Sequence, residues 1–457
     1  MSAPAETQRA RASFTETLAV YTQPRVLIVL FLGFSAGLPL ALSGSTLLFW
    51  TAEAGVNLKT IGLFALAGTP YTIKFLWAPI IDAIDLPVLS MWLGRRRGWL
   101  VFSQLLLIAT IAYLGSCDPA AAPGAVALGA LFVAAASATQ DIVIDAFRIE
   151  SLKEDEQAAG MASYVAAYRV GMLVSGAGAL FLVSGFQELG FAHRAAWNAS
   201  YLVMAALVVV GIITTLIASE PEKSEAAERT HGGTNALRRL GQTVIGAFED
   251  FFFREGLLVA VVVLLFVVLF KFTDALAGVM TGPFAVDLGF TRNEYATIIK
   301  GIGLAALLIG GFAGGYVARA FSLGVSLWIG GVLQALANLA FSWQAVVGHD
   351  IRWLTVAITV ENFTSAIGTV IFVAYLSALC KNPLHTATQY ALLTALSAVG
   401  RTYLSASAGF IAAATGWVWF FVICALAAIP GLLLLAWLQQ RGHFKELGTT
   451  SAAGKKS

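Results

Sequence analysis

The chain consists of long apolar stretches separated by short polar connections, and the length of these stretches predicts its main structural elements. A helix needs about 20 predominantly apolar residues to cross the hydrocarbon core of a bilayer. Hydropathy divides the chain into about twelve stretches of that length. We predict transmembrane helices over residues 26–50, 60–82, 98–116, 124–147, 158–186, 196–218, 256–282, 294–318, 323–345, 353–379, 386–412 and 416–438. Because the stretches are continuous and do not alternate between apolar and polar residues, they exclude a transmembrane β-barrel.

The overall composition agrees with a protein embedded in a lipid bilayer. Hydrophobic residues make up 58% of the chain and charged residues 12%, far from the balance of a soluble globular domain. The 44 glycines supply small surfaces at which transmembrane helices approach closely. The 3 cysteines are scattered, and all 5 histidines fall in predicted loops or tails. We therefore predict no metal site and no cofactor.

Ionisable side chains interrupt seven of the predicted helices and leave the third, sixth, ninth and twelfth free of internal charge. A charge at membrane depth is costly unless it faces a wet cavity or a partner. Charge-free helices can therefore face lipid, whereas charged helices must face the interior. The interrupting residues predict a polar pathway through the protein: Lys74, Asp141, Asp145, Arg169, Lys271, Asp274, Lys300, Glu361 and Arg401.

The distribution of Lys and Arg among the connections predicts the orientation. With a cytoplasmic N-terminus, about nineteen of these residues fall in the tails and cytoplasmic loops, and about four fall outside. We therefore expect both termini in the cytoplasm.

The longest polar connection, at 219–255, divides the chain into two halves of six predicted helices each. We predict a cytoplasmic tail at 1–25, a first bundle at 26–218, a second bundle at 256–438 and a second cytoplasmic tail at 439–457. Within the connection, apolar residues at helical spacing predict an amphipathic helix on the cytoplasmic membrane surface. These residues are Leu237, Leu240, Val244 and Phe248.

A weak internal repeat relates the two halves. Arg169 in the fifth predicted helix is followed six positions later by Ser175, and Arg401 in the eleventh is followed six positions later by Ser407. Internal repeats are typical of secondary transporters, whose sites lie between the halves near the bilayer midplane. The predicted fold is an all-α membrane protein with about twelve transmembrane helices in two pseudo-symmetric six-helix bundles.

That architecture resembles the major facilitator superfamily, in which the third, sixth, ninth and twelfth helices are peripheral. The superfamily's signature between the second and third helices, Gly-x-x-x-Asp-Arg-x-Gly-Arg-Arg, is present in altered form. Ala78 replaces the first glycine, Asp82 stands as the aspartate, and Gly94-Arg95-Arg96-Arg97 follows after a longer insertion. The resemblance implies a gating role for Asp82 and the arginines through ion pairs and a helix-end dipole.

Several stretches resemble the AmpG-type muropeptide permeases within that superfamily. They are Gly33-Phe34-Ser35-Ala36-Gly37-Leu38-Pro39-Leu40, Lys74-Phe75-Leu76-Trp77-Ala78-Pro79, Ser137-Ala138-Thr139-Gln140-Asp141-Ile142, Tyr168-Arg169-Val170-Gly171 and Ala395-Leu396-Ser397-Ala398-Val399-Gly400-Arg401. The resemblance implies proton-driven import of N-acetylglucosaminyl-1,6-anhydro-N-acetylmuramic acid and its peptides from periplasm to cytoplasm. It also implies the inner membrane of a Gram-negative bacterium and a role in cell-wall recycling and β-lactamase induction. We expect a monomer that binds no nucleic acid.

Such a substrate carries carboxylates and sugar rings, and both kinds of group have candidate partners. Arg169, Arg401, Lys74 and Lys271 are candidate carboxylate ligands near mid-membrane. The alternative for each cation is that it neutralises a neighbouring acid. Amide, hydroxyl and aromatic partners for the sugars are predicted at Gln140, Tyr71, Tyr168, Asn362 and Tyr375. The alternative for these residues is packing between helices.

Buried carboxylates are the candidate proton carriers: Asp141, Asp145, Asp274 and Glu361. Burial drives a carboxylate toward its neutral form, and a nearby cation opposes that shift. Asp141, Asp145 and Arg148 share one helix face, so a gating ion pair with Arg148 is an alternative role. Lys271 and Asp274 have the spacing of a self-neutralising pair. Glu361 lacks a partner near it in sequence.

We conclude that the sequence predicts a proton-coupled importer. A transporter for another bulky organic anion, such as an acyl-coenzyme A or a sugar acid, is the nearest alternative. An enzyme is disfavoured because the acids are dispersed over both halves and no nucleophile motif or nucleotide cradle is present. A receptor without transport is disfavoured because no sizeable soluble domain is evident.

Overall fold

The computed structural model describes residues 19–153, 156–221, 256–380, 386–444 and 447, and these residues form helices and short connections. The predicted amphipathic helix in the 219–255 connection lies outside the described residues, as do most of both predicted tails. Side chains at positions 79, 82, 83, 158, 386–389 and 391 also lie outside the description.

The first part of the chain, up to residue 221, folds into α-helices of unequal length. They are Pro24–Ser43, Ser45–Glu53, Leu58–Leu63, Thr69–Ile73, Ala78–Ala83, Leu89–Leu93, Arg95–Ser116, Pro123–Ser151, Gln157–Leu173, Ala179–Glu188, His193–Leu207 and Val209–Ile217. The second part, from residue 256, contains Leu257–Phe270, Phe272–Asp287, Arg292–Tyr295, Gly303–Ala320, Leu323–Val347, Ile351–Leu379, Thr386–Val399, Ala408–Leu426 and Ala428–Gln440.

Among the described residues, 10 helical stretches are long and apolar enough to cross a membrane. The predicted span at 60–82 is not one of them, because it is broken into short helices. Pro70 and Pro79 each stand in the first turn of such a helix, where the N–H that proline lacks is not needed. The second predicted span is therefore corrected to an interrupted one.

The predicted spans at 386–412 and 416–438 fall in one helical stretch, Leu392–Gln440, of 49 residues. At 1.5 Å per residue this stretch would measure about 70 Å, more than twice the thickness of a hydrocarbon core. Gly416 interrupts it with φ 72° and ψ 168°, a conformation that glycine adopts without steric cost. The chain therefore turns near the predicted boundary between these two spans.

Helix Pro24–Ser43 crosses helix Gln157–Leu173 at very short range. A Cβ atom on Gly37 would lie 2.1 Å from the carbonyl oxygen of Tyr168, and one on Gly171 would lie 2.3 Å from that of Phe34. Two backbones can approach this closely only where both helices present glycine. This contact fixes the position of Tyr168 and of its neighbour Arg169.

The two parts of the chain pack against each other toward one end of the molecule. Helix Ser45–Glu53 contacts Phe272–Asp287, and helix Leu58–Leu63 contacts Ala408–Leu426. One apolar cluster contains buried side chains from both parts. We call this end the Glu53 end, and we call the opposite end, at the start of helix Arg95–Ser116, the Glu150 end.

The glycine contact at Gly37 predicts a selective effect of added volume. Gly37→Ala should lower the free energy of unfolding by about 1–3 kcal/mol, because the methyl group forces the two backbones apart. Gly311→Ala is the matched control, since a Cβ there meets nothing within 4 Å. The midpoint of thermal unfolding, measured in one detergent, should fall for the first variant only. Equal midpoints would contradict the close crossing.

Candidate functional site

A central cavity lies where the two parts of the chain meet, and it has two adjoining lobes that share Ser45 and Gly278. The first lobe has a volume of about 230 Å³ and is lined by charged and amide side chains from both parts of the chain, Arg169, Lys300, Glu361 and Asn362. The second lobe, of about 410 Å³, is lined by Lys271, Asp274, Ser365, Thr369 and Arg401.

Three π-helical segments surround this cavity: Val174–Gly178, Ala296–Ile302 and Gly400–Leu404. A π-helical segment holds more residues per turn than an α-helix, and such segments occur frequently at functional sites. Lys300 and Arg401 lie within two of them, and the third begins shortly after Arg169. Two of the four cationic side chains of the cavity, Lys300 and Arg401, therefore stand at points where the regular α-helical register changes.

In the second lobe, Lys271 and Asp274 form the ion pair that their spacing predicts. Asp274 also accepts a hydrogen bond of 2.7 Å from Ser365 Oγ, and Lys271 Nζ donates one of 3.0 Å to Thr369 Oγ1. Ser365 and Thr369 both belong to helix Ile351–Leu379. The pair thus neutralises itself and joins its own helix to a neighbour.

Glu361 in the first lobe has an amide partner. Asn362 Nδ2 donates a hydrogen bond of 2.8 Å to Glu361 Oε2 and a second of 3.0 Å to the carbonyl oxygen of Ile358. Among the described residues, no cation lies within 4.0 Å of the Glu361 carboxylate. Glu361 is thus a carboxylate inside the cavity without an ion-pair partner.

The cavity carries an excess of positive charge. It contains four cations and two carboxylates, which leaves a formal excess of two positive charges when all six are ionised. Across the described part of the chain, neither Arg169 nor Arg401 has a carboxylate within 4.0 Å. Since their charges are not neutralised by a neighbouring acid, both guanidinium groups are available to an anionic ligand.

A second polar group, which we call the Asp141 cluster, lies in the first part of the chain and consists of Asp141, Lys74, Tyr71 and Tyr168. Asp141 Oδ1 is buried and has no hydrogen-bond partner among the described residues. Lys74 is the cation that acts on Asp141 electrostatically, and the two tyrosines are affected by the same carboxylate. These residues do not line either lobe of the central cavity.

Asp145 and Arg148 form the ion pair that was predicted as an alternative to proton coupling. The distance from Arg148 Nη2 to Asp145 Oδ1 is 3.7 Å. This pair lies on the same helix as Asp141, one and two turns closer to the Glu150 end.

Two predicted sugar ligands do not reach a cavity. Gln140 is completely buried and donates a hydrogen bond of 3.2 Å to Ser35 Oγ on a neighbouring helix. Tyr375 is also completely buried, with its hydroxyl 3.3 Å from His443 Nε2 and its ring against Phe266. In this structure both residues pack between helices, and the sugar contact stays a prediction for both.

At the Glu150 end, the arginines predicted to gate bind two acids that sequence reasoning missed. Arg96 donates to Glu150 through Nη2 at 2.6 Å and Nε at 2.9 Å, and Arg95 lies 3.9 Å from the same carboxylate. Glu220 accepts backbone hydrogen bonds from Arg96 at 2.8 Å and Arg97 at 3.0 Å, which stabilises the start of helix Arg95–Ser116. The Asp82 side chain lies outside the described residues.

A second missed network closes the Glu53 end across the two parts of the chain. Arg292 donates to Glu53 through Nη2 at 2.7 Å and Nε at 2.9 Å, and to Gln187 Oε1 through Nη1 at 2.6 Å. Trp197 Nε1 donates to Glu53 at 3.0 Å, and His193 Nε2 lies 3.1 Å from the same oxygen. We call these five residues the Glu53 latch.

The chain is similar in sequence to a known protein family and to several of its members. The profile of the Major Facilitator Superfamily matches residues 29–401. The anhydromuropeptide permease of Escherichia coli (strain K12) is 40% identical over 422 residues, which cover 92% of this chain and 81% of that protein. A putative transporter, AmpG 4 of Rickettsia conorii, is 34% identical over 424 residues, covering 92% of this chain and 98% of that protein.

Solved structures extend the likeness to three dimensions. A POT family transporter in complex with a thioalcohol conjugated peptide superposes with a TM-score of 0.66, at 12% identity, over 91% of this chain and 96% of that one. The helical fold and its central cavity define a class of protein, the multi-pass membrane transporters. The chain belongs to the Major Facilitator Superfamily and, within it, to the AmpG-type permeases. The family predicted from the sequence motifs is thereby confirmed.

The Glu53 latch predicts that loss of one charge opens this end of the cavity. Arg292→Gln should raise the rate at which an impermeant maleimide labels Thr281→Cys, a cavity position, by about tenfold, because the charged hydrogen bonds to Glu53 are lost. The rate would be measured in right-side-out and inverted vesicles, with Cys117, Cys380 and Cys424 replaced by serine. The rise should occur in one orientation only.

Arg352→Gln is the matched control for this experiment, because it removes an exposed arginine near the Glu53 end that is not part of the latch. An Arg292→Gln variant that is labelled at the parental rate in both orientations would contradict the latch.

Proposed function

We propose that the protein imports N-acetylglucosaminyl-1,6-anhydro-N-acetylmuramic acid and its peptides from the periplasm to the cytoplasm, in symport with protons. The observation that carries the proposal is the excess of cationic side chains in a cavity at the junction of the two parts of the chain. The printed name of the Escherichia coli relative, an anhydromuropeptide permease, supports this choice among organic anions.

The proposed architecture has two six-helix bundles, at 26–218 and 256–438, joined by the connection at 219–255. The interrupted span near residues 58–83 and the turn at Gly416 support an increase from 10 continuous stretches to about twelve membrane crossings. An even number of crossings brings both termini, 1–25 and 439–457, to one side. We assign that side to the cytoplasm and the Glu53 end to the periplasm, in an inner membrane and as a monomer.

Recognition of the substrate divides between its acidic and its sugar groups. Arg169 and Arg401 can each bind a carboxylate through two parallel hydrogen bonds, because no neighbouring acid competes for them. Asn362, Ser365 and Thr369 supply amide and hydroxyl groups beside them for sugar hydroxyls. Lys271 is a weaker candidate ligand of the substrate, since Asp274 already neutralises its charge. Lys74, Tyr71 and Tyr168 stay candidates for a later stage of transport, nearer the Glu150 end.

Proton coupling is assigned to Glu361 and Asp141. A carboxylate in a low-dielectric site without an ion-pair partner can exchange its proton with modest changes in its surroundings. Glu361 shares the first lobe with the substrate ligands, so its charge affects the binding of an anion directly. Asp141 has an unpartnered oxygen nearer the Glu150 end, where a proton would leave. Asp145 and Asp274 already have cationic partners and are the lesser candidates.

Alternating access follows from the two networks at opposite ends. The Glu53 latch joins the two parts of the chain, so its closure holds the periplasmic side shut. At the Glu150 end, the arginines bind Glu150 and Glu220, two acids of the first part of the chain, and these contacts hold helices of the first bundle together. A carrier of another bulky organic anion is the second candidate, because the cationic excess suits any such ligand.

Substrate binding by the two arginines predicts a loss of uptake when either charge is removed. Arg169→Gln and Arg401→Gln should each raise KM by about ten- to hundredfold, since an anionic ligand loses a charged partner. The measurement is uptake of radiolabelled anhydro-muropeptide by liposomes under an inward proton gradient. Arg319→Gln, an exposed arginine at the far end of helix Gly303–Ala320, is the control. If wild-type vesicles accumulate another anion but not this compound, the second candidate replaces the first.

The assignment of Glu361 predicts a separation of exchange from accumulation. Glu361→Gln, which cannot release a proton, should lose gradient-driven accumulation and keep counterflow of labelled against unlabelled substrate within about threefold of the wild type. Asp141→Asn should behave likewise if protons pass both acids. Wild-type accumulation by either variant would remove that acid from the pathway.

A further inference from the structure

Lys300 links the two parts of the chain inside the cavity. It lies in the π-helical segment Ala296–Ile302, and its Nζ donates a hydrogen bond of 2.5 Å to Ser45 Oγ on helix Ser45–Glu53. From the sequence alone, Lys300 stands close enough to a helix end to extend its charge into the membrane interface. In the structure its side chain turns into the first lobe instead.

The surroundings of Lys300 leave its charge without a counterion. Across the described residues, no carboxylate lies within 4.0 Å of Nζ. The centroid of the Tyr295 ring lies 5.8 Å from Nζ. A serine hydroxyl and a ring at that distance compensate a buried ammonium group only in part.

The alkyl stem of Lys300 lies close to the first part of the chain. A Cβ atom on Gly176 would lie 3.4 Å from Lys300 Cδ and 3.5 Å from Cε, so the stem packs over the π-helical segment of the opposing part of the chain. This contact directs Nζ toward the space that Arg169, Glu361 and Asn362 also line.

We propose that Lys300 is a specificity residue that binds a carboxylate of the transported anion, and that it leaves Ser45 to do so. The inference rests on the proposed function, because it assigns one more ligand to the same cavity. The hydroxyl of Ser45 is neutral, so a carboxylate competes with it favourably for the ammonium group. Binding of the substrate then breaks the hydrogen bond from Lys300 to Ser45, which links the two parts of the chain.

This role differs from that of Arg169 and Arg401. A guanidinium group binds a carboxylate in a fixed planar geometry, whereas an ammonium group is a compact charge with three rotatable donors. Lys300 can therefore exchange Ser45 for a ligand with a small movement of its end. Its attraction to the ligand depends on the ligand's negative charge and does not depend on how the carboxylate plane is oriented.

The test compares an acid with its neutral analogue in liposomes containing the full chain. The substrates are N-acetylglucosaminyl-1,6-anhydro-N-acetylmuramic acid and the primary amide of its lactyl group. For Lys300→Gln, the KM of the acid should rise about ten- to hundredfold, and the KM of the amide should change less than about threefold. Lys300→Arg, which keeps the charge, should retain the preference for the acid. Arg319→Gln serves again as the control.

Ser45→Ala separates the cation from its resting partner. Because Lys300 then has no hydroxyl to leave, the KM of the acid should stay equal or fall. A rise like that of Lys300→Gln would mean that the link itself is needed and would overturn the proposal. An equal loss of acid and amide uptake in Lys300→Gln, at an unchanged midpoint of thermal unfolding, would also overturn it.

Failure of the proposed function has a different signature. Wild-type vesicles that take up neither compound contradict the muropeptide assignment. The role of Lys300 is then decided with the organic anion that those vesicles accumulate, compared with its amide across the same variants.

Discussion

The cost of an ionised side chain inside a membrane is the constraint on which the rest of this structure depends. Such a charge is tolerated only beside a partner or a wet cavity, and both solutions are present. Lys271 and Asp274 neutralise each other, whereas Arg169 and Arg401 face the cavity and, among the described residues, have no carboxylate within 4.0 Å. The uncompensated cations make the cavity attractive to anions, so the same energetic penalty that orients the helices also selects the chemistry of the ligand.

This constraint explains which site residues could be predicted from the sequence. Arg169, Lys271, Asp274, Glu361 and Arg401 were chosen because they carry charge in apolar stretches, and all five line the central cavity. Neutral polar residues are less restricted, because they need no partner of opposite charge and a hydrogen bond to another helix can hold them between helices. Gln140 donates a hydrogen bond to Ser35, and the Tyr375 hydroxyl lies within hydrogen-bond distance of His443 Nε2. Polarity without charge therefore does not distinguish a ligand-binding side chain from an interhelical one.

The features that sequence reasoning missed depend on contacts between distant residues. Glu53 and Arg292 are 239 positions apart, and each falls in a connection between predicted spans, where a charge is ordinarily solvated. Only the folded chain brings them together with Trp197. Lys300 was placed in the polar pathway by its charge, but its position near the end of a predicted helix equally allowed a side chain that extends to the membrane interface. The π-helical segment changes the register and turns the side chain toward the opposing bundle.

The close glycine contacts and the polar links between the two parts of the chain have different effects on conformational change. Gly37 and Gly171 bring helices of one bundle into backbone contact, where motion is opposed by sterics on every side. The junction between the two parts of the chain is held by the Glu53 latch, by the bond from Lys300 to Ser45 and by a shared apolar cluster. A glycine contact also crosses it, because a Cβ atom on Gly409 would lie 1.9 Å from the carbonyl oxygen of Leu58. Polar links of this kind exchange partners without opening an apolar void. Rearrangement is therefore easiest at the polar links and is opposed by sterics wherever glycine brings two backbones together, at Gly37 within the first part of the chain and at Gly409 between the two parts.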